Sequence, residues 1–188
     1  MKEIEILISV KDDKKTVLEK LEQFNFVGVK KVLDIYFYDP KRPELKPDKF
    51  GKLNQCLRVR RKDDKFYLTY KIDHFDKDIW IYSDEHETEI SDLETCMKIM
   101  EHMGLKVLVE VENQKYTFLT DKYEIVFEEV KGLGLFLEVE RLNVGDDEKV
   151  GMVKEEIKKF IQNLNIKIGE ELNVGKPELM LKLKNSNL

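Results

Sequence analysis

Charged side chains recur two residues apart in several short segments of the chain, with one residue between them. The pairs are Glu3 and Glu5, Arg58 and Arg60, Glu87 and Glu89, and Glu138 and Glu140. Successive side chains of a β-strand point to opposite faces, so each pair occupies one face of a strand. On one strand alone, the ordinary interpretation is a charged face in water. Repetition on several strands, with both signs of charge, favours a barrel whose charged faces point inward.

The order of the predicted elements favours an antiparallel sheet. Strands are predicted at residues 2–10, 32–38, 56–62, 65–72, 85–90, 106–111, 115–119, 123–130 and 135–142. Helices are predicted at residues 14–24, 93–103 and 146–164, with a short one opening at Pro177. Most strands follow one another directly, which argues against parallel βαβ units. We therefore expect one α+β domain over residues 1–188, with a closed eight-stranded antiparallel β-barrel and helices packed outside.

Composition excludes several classes of function. The 188 residues carry a formal net charge of -5, which gives no support to nucleic-acid binding. No apolar run approaches the ~20 residues that a membrane-spanning helix needs, and the N-terminus lacks a signal peptide. Cys56 and Cys96 are far apart and lack the spacing of metal ligands, so we expect reduced structural thiols and a cytoplasmic location.

Inward-facing charges of both signs restrict the chemistry of the barrel. Carboxylates packed inside a barrel are costly unless cations neutralise them, and arginines there need anions. A divalent metal that bridges glutamates to a polyphosphate satisfies both sets at once. Hard oxygen ligands favour Mg²⁺ or Mn²⁺ over zinc, and the planar guanidinium group of arginine suits phosphate oxygens.

The ordered set of charged motifs resembles a known family. The motifs are Glu3-x-Glu5, Leu57-Arg58-Val59-Arg60, Leu68-Thr69-Tyr70-Lys71, Glu87-x-Glu89, and a run from Glu128 through Gly132-Leu133-Gly134 to Glu138-Val139-Glu140. In this order they are similar to the CYTH superfamily, the triphosphate tunnel metalloenzymes. That superfamily includes class IV adenylyl cyclases and thiamine triphosphatases. The segment Asp34–Pro40, with Arg42 after it, looks most like the class IV cyclase branch.

The resemblance implies a role for each matching residue. The acids that match the metal side are Glu3, Glu5, Glu128, Glu138 and Glu140. The bases that match the triphosphate side are Arg58, Arg60, Lys71 and Lys115. Glu87 and Glu89 match a supporting acidic pair, which binds metal or orients nearby bases. Asp34 and Tyr36 share a strand face and are candidate catalytic residues, with core packing the alternative for Tyr36.

Three functions remain open from the sequence. A class IV adenylyl cyclase-like enzyme would convert ATP to cyclic AMP and pyrophosphate. A triphosphatase would hydrolyse tripolyphosphate, thiamine triphosphate or a nucleoside triphosphate, and a non-catalytic protein would only bind polyphosphate or a nucleotide. In each case the expected cofactor is Mg²⁺ or Mn²⁺ and the partner is ATP or inorganic polyphosphate, without nucleic acid or membrane. Dimers are common in the family, so the resemblance is compatible with a homodimer.

Some positions depart from the family pattern. Leu7 occupies the position of the lysine in Glu-x-Glu-x-Lys, Lys115 that of an arginine, and Lys176 roughly that of a tyrosine. These changes alter the charge of the tunnel and put the reaction in doubt more than the metal and triphosphate site. Trp80 lies in a segment that reads as a loop, where it would anchor the loop or close over an adenine ring.

Overall fold

One antiparallel sheet dominates the computed structural model, which describes residues 2–77, 79–145 and 147–186. Its ten segments are β1 (Lys2–Glu3), β2 (Glu5–Val10), β3 (Asn25–Tyr38), β4 (Gln55–Lys62), β5 (Lys65–Asp76), β6 (Ile79–Ile90), β7 (Lys106–Leu119), β8 (Tyr123–Val130), β9 (Gly134–Arg141) and β10 (Ile168–Glu171). They are ordered β1-β6-β5-β4-β3-β7-β8-β9-β2-β10. All neighbouring pairs are antiparallel, which confirms that part of the predicted fold.

The predicted closed, eight-stranded barrel is wrong in two respects. Ten segments, not eight, make up the sheet over the described residues, and their order runs from β1 to β10 and does not form a ring. The sheet is instead a curled one. Since only Ile4 separates β1 from β2, and these pair with β6 and β9 respectively, residues 2–10 touch two distant parts of the curl.

Strand boundaries differ from prediction where polar residues interrupt the pattern. The predicted strands 106–111 and 115–119 are one continuous strand, β7, because its residues pair with β3 throughout, including Glu112 and Gln114. The predicted loop around Trp80 is also wrong, since Trp80 lies in β6. The side chain of Trp80 is buried, and its indole N–H donates to the hydroxyl of Ser83.

Helices pack against the sheet, three on its outer face and the last described one against its inner face. They are α1 (Lys14–Leu21), α2 (Leu93–His102), α3 (Val150–Asn163) and α4 (Lys176–Ser186), and a short 3₁₀ helix spans Pro43–Leu45. None of the helices in the described part of the chain is long and apolar enough to cross a membrane. The side chains of Asp13 and Asp92 cap α1 and α2 by accepting hydrogen bonds from backbone N–H groups three residues later.

Packing against α3 explains why the charged strand faces point inward. Val153, Ile157 and Ile161 of α3 are buried in one apolar cluster with Leu137 and Val139 of β9. Full burial of each such side chain contributes about 1.5–3 kcal/mol. The apolar side chains of the strands therefore lie under the helix, and the alternate, charged side chains face the inside of the curl.

Candidate functional site

The inner face of the curled sheet surrounds a cavity of about 270 Å³. Alternate residues of β2 to β9 and Glu3 of β1 line it, and residues 173–178, which lead into α4, contribute one further part of the wall. The predicted site residues on this wall are Glu3, Glu5, Asp34, Tyr36, Arg58, Arg60, Lys71, Glu87, Lys115, Glu138 and Glu140. The curl therefore brings eleven of the thirteen predicted residues to one cavity, although they come from eight different strands.

Carboxylates crowd one wall of the cavity, which we call the acidic wall. Glu5 lies directly opposite Glu140 in the β2–β9 ladder, and Glu140 lies opposite Glu124 in the β8–β9 ladder. Like charges directly opposite each other are destabilising. Burial, reinforced by Glu3, Glu5 and Glu138, raises the pKa of Glu140 to about 8. Burial also raises the pKa of Glu5 to about 7. This wall is therefore short of positive charge.

Lys71 is the internal counter-ion of the acidic wall. Its ammonium nitrogen lies 2.8 Å from Glu3 Oε2, 3.2 Å from Glu5 Oε1 and 3.7 Å from Glu85 Oε2. Burial alone would lower the pKa of Lys71, but the three carboxylates raise it well above the ordinary value, so the side chain is charged. Glu140, by contrast, makes no ion pair with any described residue and lacks a cation of its own.

Arginines and lysines form a second wall, the basic wall, on β3, β4 and β7. Arg60 Nε and Nη2 donate to the two carboxylate oxygens of Asp34 at 2.7 and 2.9 Å, which fixes the guanidinium plane. Arg58 Nε lies 3.8 Å from Asp34 and is buried without a hydrogen-bond partner in the described part of the chain. A buried donor without a hydrogen bond destabilises the folded protein. The Nε–H group of Arg58 is therefore available to a ligand.

The two candidate catalytic residues are held in fixed protonation states. Burial would raise the pKa of Asp34, but the charges of Arg60 and Arg58 lower it well below its usual range. Burial and the charge of Asp34 raise the pKa of Tyr36 well above its ordinary value. Asp34 is thus an ion-paired carboxylate that positions two arginines, and Tyr36 is a neutral phenol. Neither is poised to accept a proton from a substrate near neutral pH.

Glu128 is on the inner face of β8, as Glu124 and Val126 are, but it is covered and does not line the cavity. Its side chain is fully buried, and Glu128 Oε1 lies 3.0 Å from Lys115 and 2.7 Å from Lys176, while Asn113 donates to Oε2. Lys176 also donates to Glu138 Oε2 at 2.6 Å. Burial would raise the pKa of Glu138, but Lys176 and Lys115 lower it well below the ordinary value. Lys176 from α4 thus supplies charge to the carboxylate opposite Leu7 in the β2–β9 ladder.

The supporting acidic pair is divided between the cavity and the surface. Glu87 lines the cavity, lies 3.4 Å from Arg58 Nη2 and accepts a hydrogen bond from Thr69. Glu89 is exposed, pairs with Lys65 and lies outside the cavity lining. Glu85 of the same strand was not predicted as a site residue, yet it lies on the wall, 3.6 Å from Arg58. The two-residue period from Glu87 could have identified it.

Two further lysines on the wall escaped prediction. Lys30 of β3 and Lys62 of β4 line the same cavity as Arg60 and Lys115. Lys62 follows Arg60 by two residues, so the strand period could have placed it on the inner face. Lys30 lies in the part of β3 before residue 32, which the sequence did not predict as a strand.

The donor set of the acidic wall fits a hard divalent cation. Carboxylate oxygens are the ligands that Mg²⁺ and Mn²⁺ prefer, and the raised pKa values of Glu5 and Glu140 are what an added positive charge would relieve. No group of three or more His, Cys, Asp or Glu side chains is already arranged to hold a metal ion in the described part of the chain. The ammonium group of Lys71, which contacts Glu3 and Glu5, occupies part of this space.

Comparisons with known proteins agree with this geometry. The model of the CYTH domain matches residues 1–173. A Methanocaldococcus jannaschii protein named "putative adenylate cyclase" is 33% identical over 168 residues, which are 88% of this chain and 91% of that protein. A solved structure from Pyrococcus horikoshii is 26% identical, with a TM-score of 0.80, and covers 96% of this chain and 99% of its own.

A plant protein shares the fold at lower identity. It is a Hippeastrum "putative adenylyl cyclase" described as having a dominant triphosphatase activity, 15% identical with a TM-score of 0.64, covering 98% of this chain and 96% of its own. At that identity the likeness concerns the fold alone. The family match extends over most of the chain and includes the strands that form both charged walls. The chain belongs to the CYTH family.

Proposed function

We propose that the protein is a metal-dependent enzyme that processes triphosphates, with ATP cyclisation as its main reaction. The observation that carries this proposal is the separation of charge inside one cavity. Glu5, Glu140 and Glu124 crowd one wall, while Arg58 and Arg60 are fixed on another. A polyanion with a divalent cation is the simplest ligand that complements both walls at once.

The acidic wall would hold the cation. Glu3, Glu5, Glu138 and Glu140 offer carboxylate oxygens at the cavity surface. A bound Mg²⁺ or Mn²⁺ would supply positive charge next to the phosphate oxygens and polarise them. Glu128 supports this group indirectly, because it anchors Lys115 and Lys176, which in turn contact Glu138.

The basic wall would bind the triphosphate. Asp34 holds the guanidinium group of Arg60, while Arg58 donates to Thr69 and Glu87. Lys115 acts as a compact charge beside them, and Lys71 of β5 adds another from the acidic wall. On binding, the ammonium group of Lys71 would exchange contacts with Glu3 and Glu5 for contacts with phosphate. This exchange would free both carboxylates for the cation. Phosphoryl transfer depends mainly on such positioning and charge neutralisation.

Cyclisation of ATP is supported by the name of the M. jannaschii relative, which is a "putative adenylate cyclase". In that reaction the ribose 3′-oxygen forms a bond to the α-phosphorus, the bond from that phosphorus to the β-phosphate bridging oxygen breaks, and pyrophosphate leaves. The hydroxyl proton passes to solvent. Trp80 and Phe75 also line the cavity and offer aromatic surface for a base.

Hydrolysis of a triphosphate is the second candidate. The Hippeastrum protein with this fold has a dominant triphosphatase activity. In hydrolysis, water forms the new bond to the terminal phosphorus, and the bond from that phosphorus to its bridging oxygen breaks. The shortened phosphate chain leaves, and the attacked phosphoryl group becomes orthophosphate. The charged walls serve either reaction, since both place negative charge on bridging oxygens of a bound triphosphate, although on different ones. Non-catalytic binding is the third candidate, because Leu7 occupies the position of the family's lysine.

Product analysis separates the three functions. The protein is incubated with ATP and, separately, with tripolyphosphate, each with Mg²⁺ or Mn²⁺, and the products are resolved by ion-exchange chromatography. Cyclic AMP with pyrophosphate supports the proposed reaction, orthophosphate supports hydrolysis, and binding without turnover supports the third candidate. Absence of binding to both the metals and the triphosphates would refute the site itself.

A further inference from the structure

The outer end of the basic wall holds two lysines that form no ion pair in the described part of the chain. Lys30 is exposed and Lys62 is half-buried, and both line the cavity. Neither forms an ion pair with a described residue, whereas Arg60 pairs with Asp34 and Lys115 with Glu128. We call Lys30 and Lys62 the mouth lysines. Excess positive charge on the basic wall is therefore concentrated at the mouth.

The strand register places the mouth lysines among other cations. Lys30 lies directly opposite Lys115 in the β3–β7 ladder, and like charges in this position are destabilising. Burial, together with the charges of Lys30, Arg60 and Lys115, lowers the pKa of Lys62, and the carboxylate of Glu124 offsets this only in part. An arrangement in which cations repel each other inside a cavity is stabilised when an anion binds between them.

Spacing along β4 indicates the shape of that anion. Arg58, Arg60 and Lys62 project from the same face, and two-residue steps of about 6.6 Å place their backbones over roughly 13 Å. Such a row of cations suits a linear anion with charges at regular intervals. A single compact anion would contact only part of the row. Nucleic acid fits poorly, since the net charge is -5 and Glu124 and Glu140 belong to the same cavity.

We propose that the mouth lysines form a subsite for a fourth phosphate group, so that the cavity takes linear polyphosphates longer than three. This inference rests on the proposed triphosphate site and extends it outward. The inner three phosphates lie along Arg58, Arg60 and Lys115, and the fourth lies between Lys30 and Lys62. Inorganic tetraphosphate and nucleoside 5′-tetraphosphates are the corresponding ligands.

The test compares binding of tripolyphosphate and inorganic tetraphosphate by titration calorimetry, at fixed ionic strength and with Mg²⁺. The variant K30Q/K62Q removes both mouth charges. The matched control, K98Q/K159Q, removes two lysine charges from exposed positions of α2 and α3. We expect wild type and control to bind tetraphosphate about tenfold more tightly than tripolyphosphate, because the fourth phosphate gains charge-assisted hydrogen bonds to the mouth lysines. In K30Q/K62Q this preference should fall to within twofold.

Each other outcome overturns one specific proposal. If wild type binds neither phosphate, the proposed triphosphate site fails. If wild type binds both equally and K30Q/K62Q changes nothing, only the fourth subsite fails. If K30Q/K62Q weakens both ligands by the same factor, the mouth lysines belong to the triphosphate site and the fourth subsite is again rejected. Thermal denaturation of all three proteins verifies that each is folded.

Discussion

The ammonium nitrogen of Lys176 lies 2.6 Å from a carboxylate oxygen of Glu138, although the two residues are 38 positions apart in the chain. The same nitrogen is 2.7 Å from the fully buried Glu128. Since Lys176 is the first residue of α4, this pair of contacts joins the C-terminal helix to the inner face of the sheet. Charge complementarity thus helps to hold α4 in place.

Removal of this cation should destabilise the fold. We expect K176M to lower the free energy of unfolding by about 3 kcal/mol, because it leaves the buried carboxylate of Glu128 with only Lys115 as a cation. Urea denaturation measures the change. K176M/E128Q should recover at least half of the loss, and K184M, at an exposed position of α4, should change little. A stability of K176M equal to wild type would contradict the assigned role of the pair.

Neutralisation of one acid should weaken the binding of the metal and the triphosphate together. E138Q keeps the size of the side chain but removes a negative charge from the acidic wall. We expect the Mg²⁺-dependent affinity for tripolyphosphate to fall at least about tenfold, because even the loss of a group that only supports a metal ligand typically has this effect. The control E22Q alters an exposed glutamate at the end of α1. Equal effects of E138Q and E22Q in calorimetry would count against a cation on this wall.

The raised pKa of Glu140 predicts a specific pH dependence of stability without metal. Its pKa is about 8 in the folded protein and 4.5 ordinarily, so the folded state binds this proton more tightly than the unfolded chain. The resulting stabilisation is fully present below pH 4.5 and is lost as the pH rises through about 8. In EDTA, the midpoint of thermal denaturation should therefore fall less steeply with rising pH in E140Q than in wild type, between pH 4.5 and about 8. The exposed-site variant E170Q should follow wild type, and an E140Q slope identical to both would disprove the prediction.

Two adjacent arginines provide a matched test of the basic wall. Arg60 faces the cavity, and its Nε and Nη2 atoms donate hydrogen bonds to Asp34. Arg61 is exposed on the other face of β4. R60K keeps the charge but loses the paired donors, so we expect a roughly tenfold loss of tripolyphosphate affinity. R61K should remain within twofold of wild type. If both variants bind alike, the orientation of the guanidinium group has no part in recognition.

Two-residue periodicity accounts for most of what the sequence could predict. It placed Glu3, Glu5, Arg58 and Arg60 on inner faces because side-chain direction along a strand is a local property. The same rule could have found Lys62 and Glu85, which continue the periods of predicted pairs. The predicted closure of the barrel and the predicted number of strands were wrong because both depend on which strands pair with each other. The interruption of the strand at Ile4, between β1 and β2, has no signal in the local sequence.

Other features of the site depend on contacts that are distant in sequence. The position of Lys176 against Glu128 and Glu138 requires α4 to pack at one side of the cavity, and nothing near Lys176 in the sequence indicates that packing. Glu128 was grouped with the metal ligands through its family position. In the structure its carboxylate is covered and does not line the cavity, since Lys115, Lys176 and Asn113 already bind it.

Both the first and the last described elements of the chain supply the cavity, from Glu3 on β1 to Glu178 on α4. During synthesis the acidic wall can therefore begin to assemble early, but Lys176 reaches Glu138 only after the final helix has left the ribosome. Until then Glu128 lacks one of its two lysines, and the sheet lacks the segment that closes one side. A nascent chain arrested before residue 176 would carry the strands of both charged walls but lack the lysine that joins Glu128 to Glu138.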